Sequence, residues 1–348
     1  MRRECREVRI GNVAIGGKNR IAVQSMTNTD TADRESTSAQ LTLLAAAGCD
    51  IARMTVNGMG AVRNIPYYKT VTDMPLVADI HFDYRMAIES VAAGIDKIRI
   101  NPGNIGDYSR VKAVADCCRR AGVPIRVGVN GGSLDTDILQ KYGAPTGEAL
   151  AEAGLRAAAM LERYDFDDIV ISVKSSDPVR MIRAGEIIAA RCDYPLHLGV
   201  TEAGTPSMGL IKSAIGIGGL LCEGIGDTIR VSLTADPVEE VYAARRILQA
   251  CGIRRSGVNL VSCPTCGRTG YNMIPIAEEL EKRLAGCSKK ITVAVMGCVV
   301  NGPGEASAAD IGIAGGEGEG LIFRKGKVLY KVPQEKLVDA LLEEIEKL

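Results

Sequence analysis

The stretch "PLVADIHFDYRMAIESVAAGIDKIRIN", residues 75 to 101, decides the fold. A short apolar run at 75 to 80 passes into a longer segment of helical character, and a second β-branched run follows at 97 to 101. That order is a strand, a helix and a strand, the repeating piece of a parallel sheet. Outward from it the same alternation runs from residue 21 to about residue 250. Further strand candidates are "IAVQSMT" (21 to 27), "IARMTV" (51 to 56), "PIRVGV" (124 to 129), "DIVISVK" (168 to 174), "PLHLGV" (195 to 200) and "TIRVSL" (228 to 233). Eight strands with a helix in nearly every gap predict a closed TIM (β/α)8 barrel, which usually needs about 250 residues. An open doubly wound sheet is the competitor, but no strand is followed by the G-x-G-x-x-G turn that a dinucleotide-binding sheet wants.

After residue 255 the texture changes to a Cys/Gly-rich turn, a helix near 275 to 285, the strand "ITVAVMG", a Gly/Pro loop, two short strands and a closing helix. The expected organisation is therefore α/β: a barrel over 1–254, followed by a smaller α+β domain over 255–348. The Gly run in "DIGIAGGEGEGLIFRKGKVLYKV" reads as a hairpin turn, because Glu317 and Glu319 within it would repel a phosphate.

The chain has 348 residues, with 46% apolar and 24% charged residues, which suits a globular protein with a substantial core. That core must be aliphatic, since there is no Trp and only three Phe. Lys plus Arg equals Asp plus Glu at 42 each, so no global field favours nucleic acid or an anionic membrane, and any anion site must be local. The charged start "MRRECREVRIGNV" lacks the apolar stretch of a secretory signal, and no long uncharged apolar run is present, so a cytoplasmic location is expected. There the eleven cysteines stay reduced, which favours metal or redox chemistry over disulfides. Cys49, Cys117, Cys118, Cys192, Cys222 and Cys251 read as small structural hydrophobes in helical or turn segments.

Within the apolar strands, polar residues recur two apart, which puts them on one face. Arg53 with Thr55 and Asn57, Asp79 with His81, Arg99 with Asn101, Arg126 with Asn130, Ser172 with Lys174, and Arg230 with Ser232 follow this rule toward the C-terminal end of each strand. That end of a barrel is where ligands bind. Arg53, Arg99, Arg126, Arg230 and Lys174 together predict a pocket for a phosphorylated or carboxylated small molecule, because buried guanidinium groups need partners and their planar forks suit phosphate. "KIRINPGNIG" adds Gly and Asn whose backbone N–H groups could face a phosphate. The two histidines, His81 and His197, also fall at strand ends. Glu202, just beyond the seventh strand, is the best placed carboxyl for proton transfer, with an N-cap or surface role equally open.

"VSCPTCGRTG" (261 to 270) sets Cys263 and Cys266 two residues apart, a spacing shared by zinc, cluster and dithiol sites. Downstream, "VMGCVVNGPGE" places Cys298 at a strand end before a Gly-Pro-Gly turn and Glu305. Three cysteines and a fourth ligand serve either zinc, which would need Cys287 or Cys251 as fourth donor, or a four-iron cluster.

These two segments, with "MTNTDT", "ADIHFDY", "KIRINPGNIG", "IRVGVNGGSL", "ISVKSSD", "LHLGVTEAG" and "GIGDTIRVSLT", make the chain resemble, over essentially its whole length, the bacterial 4-hydroxy-3-methylbut-2-en-1-yl diphosphate synthase family of the non-mevalonate isoprenoid pathway. "VNGGSL" departs slightly, where Ala is expected before the second Gly. The resemblance implies an iron–sulfur oxidoreductase with a [4Fe–4S] cluster on Cys263, Cys266, Cys298 and Glu305, the last chosen by the family and not by spacing. It implies 2-C-methyl-D-erythritol 2,4-cyclodiphosphate as substrate, held by Arg53, Arg99, Arg126, Lys174 and Arg230 and oriented by His81, Asn101, Asn130 and Ser232. The same resemblance implies catalytic roles for Glu202 and Glu305, a flavodoxin or ferredoxin as electron donor, and a head-to-tail homodimer. A pterin-dependent type of non-redox barrel transferase with a structural metal domain, and a non-catalytic cluster carrier, are the rival readings.

Overall fold

In a computed structural model the chain divides into two compact units, Met1–Cys251 and Gly252–Leu348, slightly ahead of the expected boundary. The structure describes residues 2–254, 257–284, 287, 289–298, 304, 306–316 and 318–348.

The first unit carries eight parallel strands: β3 (Ala22–Met26), β4 (Ile51–Thr55), β5 (Leu76–Asp79), β6 (Lys97–Ile100), β7 (Ile125–Asn130), β8 (Ile169–Lys174), β9 (His197–Leu198) and β10 (Thr228–Ile229). They pair in chain order from β3 to β8, and β10 lies between β3 and β9. The ring closes between β8 and β9 through an Ile171–Leu196 bridge and the bond from Thr201 N–H to Ser175 O at 3.1 Å. Each expected strand is present. The last two are shorter than their apolar runs, although Arg230 N–H still donates to Leu198 O at 2.9 Å beyond the ladder.

Local chemistry fixes where each strand gives way to its helix. Asp33, Asp83, Asp107, Asp177 and Asp236 cap α1 (Arg34–Ala46), α3 (Tyr84–Ala92), α4 (Tyr108–Ala121), α7 (Pro178–Arg191) and α9 (Pro237–Ala250), each carboxylate accepting first-turn N–H bonds. Pro178 and Pro237 sit in the first helical turn, where no N–H is missed. These caps stop the strands at one face and leave their last side chains at the mouth.

The barrel floor is an element the sequence reading missed. Residues Val8–Ile10 (β1) and Val13–Ile15 (β2) form a hairpin around Gly11, whose φ of 53° suits the tight turn. Val8, Ile10 and Ile15 cluster with Ala22, Ile51, Val77 and Val170, the inward residues at the starts of four strands. The signal was Val-x-Ile, Gly-Asn, Val-x-Ile, half hidden among charges.

The second unit is a five-stranded sheet, β11 (Asn259–Ser262), β12 (Thr292–Met296), β13 (Ile311–Gly315), β14 (Glu319–Arg324) and β15 (Lys327–Pro333), in sequential order. The first three run parallel and the last two antiparallel. Strand β11 was not expected from the sequence, and three strands, β13 to β15, stand where two were expected. The Gly run does join β13 to β14 as a hairpin, with Gly315 opposite Gly320. Helices α10 (Met273–Leu284) and α11 (Leu337–Glu346) cover one sheet face through Leu280, Leu341 and Ile345 against Val293, Val295 and Ile313. Ala306 and Ala309 pack on the other face against Ala294, Met296 and Phe323.

Candidate functional site

The inward face of the barrel changes character along each strand. Ile51, Val77 and Val170 belong to the apolar floor, and two residues further on the same face stand Arg53, Asp79 and Ser172. Above this level a cavity of about 210 Å³ is lined by Arg53, Arg99, Arg126, Lys174 and Arg230 together with His81, Asp79, Asn130, Ser172 and Thr201. All five cations expected from the period-two pattern thus meet in one cup. Arg126 is 1% exposed, Lys174 6% and Arg53 7%.

Two carboxylates hold this charge in place. Asp79 Oδ1 accepts from Arg99 Nη1 at 3.0 Å, and Oδ2 lies 3.6 Å from both Arg53 Nε and His81 Nε2. Burial would raise the Asp79 carboxyl, but the Arg53 and Arg99 guanidinium groups override it and hold it down to about 2. Glu240, reaching in from α9, accepts from Arg230 Nη2 at 3.2 Å, from Leu233 N–H at 2.9 Å and from Ser25 Oγ at 3.2 Å. Spacing in the sequence pairs Asp79 with His81 without showing its role as an anchor, and Glu240 is hidden there as one of two adjacent glutamates in the first turn of α9.

Two glycines make the cup possible. A Cβ at Gly128 would stand 2.6 Å from Arg99 Nε, and one at Gly199 would stand 2.6 Å from Arg230 O and 3.1 Å from Lys174 Nζ. Gly128 holds an inward position of β7 and Gly199 continues the inward register just past β9, so their missing side chains are the space the cations use.

Five positive side chains against two carboxylates leave three in excess. Burial, and then the neighbouring cations, push Lys174 well below the usual lysine range; the same two causes disfavour the charge on Arg126, whose guanidinium nevertheless stays protonated. Arg126 Nε and Nη2, Arg99 Nε, Arg230 Nε, Ser172 Oγ and Ser232 Oγ are buried with no hydrogen-bond partner. Unpaired donors of this kind are costly unless an anion takes them up. Deeper still, Lys97 Nζ is likewise unpartnered, and His197 bonds Thr228 Oγ1 through Nδ1 at 2.7 Å. His197 is fully buried and lies outside the cup lining; burial, then Arg126 and Lys174, hold it well below the usual histidine range, so it is a neutral wall residue.

The remaining expected residues divide. His81 and Asn130 line the cup. Asn101 instead lines a separate, much smaller pocket and donates weakly to Asn104 Oδ1 and Ser133 Oγ at 3.4 Å. Its Oδ1 also takes the Gly103 N–H, so that backbone donor is spent locally and not held for a phosphate. Ser232 follows Arg230 but is outside the lining. Glu202 neighbours the lining residue Thr201, is exposed, and holds a left-handed φ of 51°, a strained backbone for a non-glycine residue.

In the second unit β11 and β12 run parallel with Ser262 opposite Val295, so Cys263 and Cys298 both follow the C-terminal ends of adjacent strands. Cys263 Sγ accepts the Gly297 N–H at 3.0 Å, the kind of bond that stabilises a thiolate ligand. Cys266 is exposed, and its thiol is lowered by the backbone and then the side chain of Arg268. The donor chemistry suits a soft metal or cluster. Among the described residues, however, no three His, Cys, Asp or Glu side chains are gathered closely enough to hold a metal ion, and Glu305 lies outside the described residues.

Residues 5–245 match the GcpE TIM-barrel domain, and residues 259–347 match the GcpE protein C-terminal domain. The chain belongs to the GcpE family. It is 56% identical over 345 residues to the 4-hydroxy-3-methylbut-2-en-1-yl diphosphate synthase (flavodoxin) of Clostridium perfringens, covering 99% of each chain. It is 53% identical over 348 residues to the Geobacter sulfurreducens protein of the same name, covering 100% of this chain and 99% of the other. Among solved structures, a type I 3-dehydroquinate dehydratase from Clostridium difficile aligns with 72% of this chain and 98% of its own at a TM-score of 0.50 and 16% identity, a likeness of fold alone.

Proposed function

We infer that this chain catalyses the reductive ring opening and dehydration of 2-C-methyl-D-erythritol 2,4-cyclodiphosphate to (E)-4-hydroxy-3-methylbut-2-enyl diphosphate, with flavodoxin as electron donor. The carrying observation is the full-length likeness to relatives bearing that enzyme's name, and the cationic cup supplies its physical counterpart. A cyclic diphosphate brings the negative charge that the buried Arg53, Arg126 and Lys174 and the half-buried Arg99 and Arg230 lack. The Arg forks bind phosphate oxygens in pairs, and Lys174 adds a point charge. His81 and Asn130 orient the ring from the cup wall, helped by Ser232 two residues past Arg230 and by Asn101 from the neighbouring pocket. Glu202, on its strained turn beside Thr201, delivers the proton for the departing water.

Cys263, Cys266 and Cys298, with Glu305, would hold the [4Fe–4S] cluster in the second unit, where it would supply the two electrons of the reaction. A second copy of the chain completes the working enzyme as a homodimer. Among the described residues no helix is long and apolar enough to cross a membrane.

Iron and sulfide determination on anaerobically purified protein, coupled to turnover of the cyclodiphosphate with reduced flavodoxin, tests this reading. Brown protein with turnover is expected, and Cys298→Ser should abolish the turnover while leaving cyclodiphosphate binding intact. Full reductive turnover by that variant, or a colourless zinc protein, would sink the cluster assignment.

A further inference from the structure

Most cysteines outside the sulfur corner stand apart, but two do not. Cys222 ends α8 (Pro206–Cys222), Cys251 directly follows α9, the next helix of the barrel, and their Sγ atoms are 3.9 Å apart. Gly218, one turn back on α8, lies beside the second thiol, and even a Cβ there would meet Cys251 Sγ only at an ordinary contact distance of 3.6 Å. Cys222 is exposed and Cys251 half-buried, so a small reagent reaches the first and finds the second beside it. Barrel helices run back against their strands, so the C-terminal ends of α8 and α9 lie at the face opposite the cation cup. Neither thiol takes part in the chemistry described above.

We infer that Cys222 and Cys251 are a reversible dithiol–disulfide pair that exchanges with a small-molecule disulfide of the glutathione type. The Cys222 thiolate attacks one sulfur of oxidised glutathione, the reagent's S–S bond breaks, and one glutathione thiolate leaves. Cys251 then loses its proton and attacks the Cys222 sulfur of the mixed disulfide. The Cys222–Cys251 bond forms, and the second glutathione thiolate departs. Two electrons pass from the protein pair to glutathione, and two protein thiols become one disulfide while two glutathione thiols appear.

The order follows from the surroundings. Burial, and then the Cys222 thiol itself, push Cys251 up to about 11, so the exposed partner attacks first. Cys251 also follows the C-terminus of α9, whose negative dipole end further disfavours its thiolate, which makes this a slow pair and not a peroxide-type sensor. Closure ties the end of α8 to Cys251, the last residue of the first unit, and so clamps the point where the chain passes into the second.

The full chain with its cluster in place, equilibrated anaerobically over a series of oxidised-to-reduced glutathione ratios, then alkylated and peptide-mapped, tests the pair. Alkylation of Cys222 and Cys251 should fall together by at least about tenfold, with a linked 222–251 peptide and a rise in thermal midpoint that dithiothreitol reverses. Cys251→Ser should instead trap glutathione on Cys222, and Cys222→Ser should leave Cys251 free to alkylate. Both variants should keep wild-type turnover in reduced buffer. If both thiols stay fully alkylated at every ratio, or if either pairs with a different cysteine, the inference is overturned.

Discussion

The two ends of the barrel interior share the same strands and the same inward face, yet they are built on opposite principles. At the floor, Ala22, Ile51, Val77 and Val170 meet an apolar hairpin and need nothing further. Two residues along, Arg53 and Asp79 stand among five cations, two carboxylates and several unpartnered donors. One end is stabilised by burial alone; the other is stabilised only in part, and a ligand must supply the rest. A fold can carry so much unmatched charge because it is confined to one layer and the floor beneath closes the barrel without it.

Four experiments would break or sharpen that contrast. The largest effect is expected from Arg126→Met, which keeps bulk and removes a buried fork. Losing about 4 kcal/mol of charge-assisted bonding to phosphate should lower kcat/KM about a thousandfold in a steady-state assay, while the melting temperature holds or rises. Unchanged kcat/KM would separate the cup from the reaction.

Asp79→Asn comes next. Arg53 and Arg99 lose their common anchor, and misplacement of this kind should cost about a hundredfold in turnover. The pH dependence gives a second readout. Because the folded Asp79 carboxyl is held down to about 2, its stabilising contribution is present above its unfolded value near 4 and is lost as pH falls between the two. Acid unfolding followed by circular dichroism should show that loss in the native protein and not in Asp79→Asn.

Gly128→Ala should act more gently, about tenfold on turnover, because its new methyl group meets the flexible end of Arg99 and displaces it. A variant with native kinetics would show that Arg99 has room to spare. The smallest catalytic effect belongs to the floor. Val77→Ala should lower stability by about 2 kcal/mol in a denaturant titration and leave kcat/KM within about twofold of native. A large catalytic loss there would deny that the two ends are independent.

The legibility of these features follows their range along the chain. Strands β3 to β10 were readable because each is a local apolar run, and the cations were readable because alternate positions share a face whatever the rest of the fold does. The hairpin floor was obscured by Glu7 and Arg9 on its outward side, although its inward Val and Ile kept the period. Asp79 and Glu240 were visible as residues but not as anchors: Glu240 meets Arg230 only because α9 packs beside β3. Asn101 shows what spacing leaves open: its side chain takes the Gly103 N–H of its own loop and lines a neighbouring pocket.

Composition, alternation and motif order by themselves determined the barrel, the smaller α+β unit and the family resemblance, because each is written in neighbours a few residues apart. The tertiary structure alone decided which carboxylates restrain which cations, which glycines open the cup, and that Cys222 and Cys251 stand side by side. Those are contacts between segments far apart in the chain, fixed by how helices pack on a closed sheet, and no local pattern in the sequence carries that distance.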